Sequence, residues 1–62
     1  MYLVDLYVYS KPNQYFNIFA ESDKTRAIYR GDLKDCPADI LAEVVSEFQA
    51  IDFDTINVIL AI

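Results

Sequence analysis

The chain has 62 residues, with ten acidic side chains against five basic ones, a net charge of −5 and no histidine. That length allows one domain, and one this small removes only about 60% of its unfolded surface from water. The missing histidine takes away the commonest general base and the commonest metal ligand together, and the lone Cys36 excludes an internal disulfide, so neither a metal nor a cofactor is expected.

Met1 to Ser10 alternates, with Tyr2, Val4, Leu6 and Val8 pointing one way and Leu3, Asp5, Tyr7 and Tyr9 the other, which predicts a first strand. Lys11-Pro12-Asn13 is turn chemistry, because Pro presets φ and Asn tolerates a left-handed backbone. Gln14 to Glu21 alternates again, with Phe16, Ile18 and Ala20 opposite Tyr15, Asn17, Phe19 and Glu21; the two runs around the turn read as a β-hairpin. Ser22-Asp23-Lys24 is a second polar turn. Thr25 to Arg30 follows as a third strand stopped by Gly31, although Arg26 and Arg30 could equally sit on an extended loop. A helix is predicted from near Pro37 to about Ala50, with Ile40, Leu41, Val44, Phe48 and Ile51 on one apolar stripe. Asp52-Phe53-Asp54 then leads into a last strand, Thr55 to Ile62, with Ile56, Val58 and Leu60 on one face. The expectation is a single α+β domain over residues 1–62 of order β-β-β-α-β. It consists of an antiparallel meander plus a C-terminal strand, in sheet order 3-2-1-4, with one helix packed on one face.

No apolar run approaches the roughly 18 residues of a membrane span, and Met1-Tyr2-Leu3-Val4-Asp5 lacks the basic stretch of a signal peptide. A cytoplasmic protein away from the membrane is therefore expected. Contact with a phosphate backbone takes clustered Lys and Arg, so no direct nucleic-acid partner is expected either. Arg26, Tyr29 and Arg30 do interleave cations with a ring, but in a net-negative chain their simpler role is to lie beside the acidic half.

Two surfaces stand out. One helix covers one side of a sheet, which leaves Leu3, Tyr7, Tyr9, Tyr15, Phe19 and Ile59 on the other; Tyr7, Tyr9, Tyr15 and Phe19 would form an aromatic interface for docking or a homodimer. Cross-strand aromatic pairing within the sheet is the plainer account. Charge divides the chain: all five bases precede Asp35, whereas Asp35, Asp39, Glu43, Glu47, Asp52 and Asp54 follow with no base among them. Asp35, Asp39, Glu43 and Glu47 recur every four residues, so a helix would gather them into one acidic ridge. That costs a few tenths of a kcal/mol per like-charged pair. The ridge suits a protein partner with a basic surface; a solvated helix face is the plainer account.

Catalytic candidates are few. Cys36 stands at a helix start, but Asp35 and Asp39 work against a thiolate. Asp52 and Asp54 are two carboxylates in an ordinary turn, and no phosphate-binding glycine loop, C-x-x-C or nucleophile elbow occurs. A non-enzymatic protein is expected.

Ile28-Tyr29-Arg30-Gly31, then Asp35-x-Pro37 opening an acidic helix, then an Ile/Val strand, resembles a pattern in small phage- and prophage-encoded proteins of Gram-positive bacteria. The resemblance covers about half the chain and carries over no functional residue. It implies a host-takeover or anti-defence factor, anti-CRISPR proteins among them, that binds and blocks a larger host enzyme acting on nucleic acid. The expected function is thus an acidic protein-interaction module of that kind; the alternative is a structural or assembly subunit that homo-oligomerises through the aromatic face.

Overall fold

In a computed structural model that describes all 62 residues, Met1–Ile62, the Pro12-Asn13 turn forms with Asn13 at a φ of +66°. The segment before it is not a strand. Leu3–Tyr9 is a helix, α1. Leu3 is fully buried and Leu6, one turn on, is half-buried, so the run is amphipathic at the helical period as well as at the strand period. Asp5 decides between them locally: its Oδ2 accepts the Tyr2 backbone N–H at 2.8 Å, the backward arm of a capping box, in the first turn where an acid is favoured. The start of the helix is also tied to the far half of the chain. Leu3 N–H donates to the Glu43 carbonyl at 2.9 Å, and Val45 N–H donates to the Met1 carbonyl at 2.8 Å.

The next two strands fall close to their predicted places. β1 (Tyr15–Ala20) and β2 (Asp23–Gly31) pair antiparallel around Glu21-Ser22. Arg26 and Arg30 therefore lie on a strand and not on a loop. Asp23 Oδ1 accepts from both the N–H and the hydroxyl of Thr25, at 3.1 and 2.6 Å, which fixes the start of β2. Gly31 ends it at a φ of +129°, where a side chain would be strained.

After a 3₁₀ turn at Leu33–Asp35, a helix starts just beyond Pro37 as predicted but stops after one turn. This α2 is Ala38–Leu41. Val45–Asp52 is then a strand, β3, joined to β4 (Thr55–Leu60) by a two-residue turn at Phe53-Asp54. Three physical reasons favour the strand over a continued helix. Carboxylates every four residues repel along a helix, Val44-Val45 are β-branched, and β4 offers a ladder that Val45 to Asp52 fill.

The result is the expected α+β class: one four-stranded sheet with helix on one face, here mixed and in the order β2-β1-β4-β3. β2 flanks β1, as expected of the strands predicted at 25–30 and 14–21. The C-terminal strand runs parallel to an earlier one, which is β1 (Ile18 opposite Val58) and not residues 1–10. Leu3, Phe16, Ile18, Leu33, Cys36, Val58 and Leu60 form the core between that sheet face and α1, the 3₁₀ turn and α2. Phe16, Ile18 and Ala20 lie opposite Ile56, Val58 and Leu60, and so share the inner face.

Candidate functional site

The outer face of the sheet carries Tyr15, Asn17 and Phe19 from β1 beside Thr55, Asn57 and Ile59 from β4. Its centre is polar: Asn17 Nδ2 donates to Asn57 Oδ1 at 2.9 Å. Phe19, Ile59 and Asn57 line a shallow depression there together with Lys24 of β2 and with Glu47, Phe48 and Gln49 of β3. Of the four aromatics assigned to this face, Tyr15 and Phe19 stand on it. Tyr7 and Tyr9 do not, because they belong to α1, where Tyr9 is 85% exposed. A single aromatic interface of all four is therefore not assembled.

The acidic ridge is also taken apart. Asp35 lies on the 3₁₀ turn, Asp39 on α2, Glu43 in the turn that follows and Glu47 on β3. Their four-residue spacing aligns side chains only along a helix, and no helix continues past Leu41. The expected buried stripe divides with it: Ile40 and Leu41 pack on the core, whereas Val44, Phe48 and Ile51 are exposed.

The change from helix to strand creates a different feature. β3 is the outermost strand of the sheet, and every residue from Ser46 to Asp52 is exposed. Phe48 and Ile51 are 51% and 54% exposed. Residues Met1–Leu3 cover the outer side of the chain at Glu43 to Val45, and beyond Val45 the strand pairs only with β4. Its charges are Glu47 and Asp52, with no base. The turn at its end is anchored by Lys11, whose Nζ donates to the Phe53 carbonyl at 2.9 Å and lies 5.7 Å from that ring's centre. Residue-level signals for this strand were present in the β-branched Val44-Val45 pair and the two-residue Phe53-Asp54 interruption between apolar runs.

The opposite edge has the opposite sign. β2 exposes Lys24, Arg26 and Arg30 against the single acid Asp23. Lys24 lines the same outer-face depression as Glu47, whereas Arg26 and Arg30 do not line it. Two strands separate the edges, about 14 Å at the usual strand spacing, which is beyond the screening length of roughly 8 Å at physiological salt.

Chemistry-bearing residues are elsewhere committed. Cys36 is buried in the core, and burial, then Asp39, push its thiol above the ordinary value, so it stays protonated. Asp52 Oδ1 accepts the Phe53 N–H at 2.7 Å, and Asp54 Oδ1 accepts the Thr55 hydroxyl at 3.1 Å, so both carboxylates serve the turn. No three Cys, Asp or Glu side chains gather where a metal ion could sit. No helix is long and apolar enough to cross a membrane. Compared with protein-family models, with curated proteins and with solved structures, the chain matches none.

Proposed function

We propose that the chain is a non-enzymatic protein-interaction module that docks a protein with a basic surface along β3. The observation that carries this reading is the state of that strand: a sheet edge, open on its outer side beyond Val45, exposed from Ser46 to Asp52, apolar at Phe48 and Ile51, and acidic at Glu47 and Asp52. Edge strands left open accept a partner's strand through backbone hydrogen bonds, and flanking side chains supply the selectivity. The acidic charge speeds the encounter with a cationic surface. A host enzyme that handles nucleic acid has such a surface, so the inhibitor role implied by the phage-protein resemblance fits this edge, in the cytoplasm of the host cell.

A second reading is an assembly subunit that stacks through the outer sheet face. Tyr15, Phe19 and Ile59 favour it, while the Asn17–Asn57 pair at the centre of the face weakens it.

The test is affinity capture from a Gram-positive host lysate with the wild type and with Glu47→Lys/Asp52→Lys as baits, followed by titration of the purified captured protein. The expected result is a partner bound at least about tenfold more weakly by the reversed bait, with affinity that falls as salt rises. Equal retention by the two baits overturns the role of the edge.

A further inference from the structure

We propose that the two free edges of the sheet pair with each other between copies of this chain, β3 of one copy against β2 of the next. The inference rests on reading β3 as the docking edge and assigns that edge a partner. The basic surface it requires is present on the chain itself, as Arg26 and Arg30 of β2, both exposed. Within one copy β1 and β4 stand between these two arginines and Glu47 and Asp52, and the β2 base that lines a depression with Glu47 is Lys24, so Arg26 and Arg30 are the bases available to another molecule.

Strand direction permits the match. β2 runs antiparallel to β1, β1 parallel to β4, and β4 antiparallel to β3, so β2 and β3 point the same way. A second copy displaced along the sheet then brings its β2 beside β3 as a parallel neighbour and continues the sheet. A two-fold arrangement is disfavoured by charge. β3 against β3 brings the acids Glu47 and Asp52 of two copies to one seam, β2 against β2 brings the bases Arg26 and Arg30 of two copies to one, and like charges across a ladder destabilise it.

Pairing of unlike edges is head-to-tail, so each added copy displaced along the sheet leaves one free edge at either end. It yields a series of lengths that grows with concentration, not a discrete dimer. Two local features keep the contact short and reversible. β3 has register shifts on either side of Glu47 to Ala50, and on β2 the Thr25 N–H is already taken by Asp23. Bulges and charged side chains are the usual means of limiting such edges, and here they leave room for a few bonds only.

The experiment is sedimentation velocity and equilibrium on the wild type, on Glu47→Lys/Asp52→Lys, on Arg26→Glu/Arg30→Glu, and on an equimolar mixture of the two variants, with circular dichroism to confirm that each is folded. The first variant has two basic edges and the second two acidic ones. The wild type is expected to exceed 7.1 kDa progressively with concentration and to return toward it as salt rises. Each variant alone should stay monomeric, and the mixture should regain association. A wild type that remains at 7.1 kDa up to millimolar concentration, one that stops at a dimer's mass, or a variant that associates as the wild type does overturns the proposal. A monomeric wild type that still captures a foreign basic partner in a Glu47- and Asp52-dependent way refutes the self-pairing and leaves the interaction module standing. Loss of that capture alone does the reverse.

Discussion

Asn17 and Asn57 meet at 2.9 Å across the central parallel strands, where their amides form the one polar rung between Tyr15–Thr55 and Phe19–Ile59 on the outer face. Replacing Asn57 with Ala leaves the half-buried Asn17 amide without this partner and should cost about 0.5–1.5 kcal/mol. Urea denaturation with an unchanged m-value checks it. Asn17→Val/Asn57→Val should recover that stability through β-branched packing, while its larger apolar face raises the tendency to aggregate.

Asp5 holds α1 in the helical state through the Tyr2 N–H. Asp5→Ala removes both that bond and the favourable charge in the first turn, with a loss of about 1 kcal/mol. The expected signature is local: less helical circular dichroism and faster amide exchange at Leu3, whose N–H is bonded to Glu43. A uniform loss of protection over the sheet would contradict it.

The core is small enough that one large truncation should unfold the chain. Leu3 and Phe16 are almost wholly buried in a cluster of seven residues. Leu→Ala costs about 2–5 and Phe→Ala about 3–5 kcal/mol, against roughly 3–9 kcal/mol for a whole domain of this length. Phe16→Ala should lose cooperative unfolding altogether. Leu3→Ala should release α1 and, at the low end of that cost, retain the sheet, as seen by near- against far-ultraviolet dichroism.

Alkaline pH should destabilise the fold before it affects the strands themselves. Burial, then Asp39, raises the Cys36 thiol; burial, then Cys36, Asp35, Asp32 and Tyr15, raises the Tyr29 phenol, whose O–H donates to the Asp32 carbonyl. A folded value above the unfolded one means that the native state holds the proton more tightly. The stability is therefore complete below the ordinary values of 9.0 and 10.0 and is lost as pH rises through the higher folded ones. Thermal melts from neutral to strongly alkaline pH should show this decline, and Tyr29→Phe should flatten its upper part. A thiol reagent at mildly alkaline pH should also react with Cys36 far more slowly in the folded chain than in urea.

Some of this was legible in the residues alone. Asn13 and Gly31 dictate turns because few other side chains accept a positive φ, and both are found at one. The alternation of Phe16, Ile18 and Ala20, and that of Ile56, Val58 and Leu60, needs only a period of two, and both runs became inner strands. Residues 1–10 and 43–52 are different. Each presents an apolar pattern that a helix or a strand can use, so local propensity leaves the choice open. The tertiary structure decided it, through the vacant ladder of β4 that recruits Val45 to Asp52 and the backbone bonds that join Met1 and Leu3 to Val45 and Glu43. That exchange dissolved the acidic helix ridge, moved Tyr7 and Tyr9 off the sheet and opened an acidic edge opposite a basic one. Charge sign along the chain was readable from composition; which charges face one another was not, because the two hairpins are set side by side by the β1–β4 pairing, whose partners lie 40 positions apart.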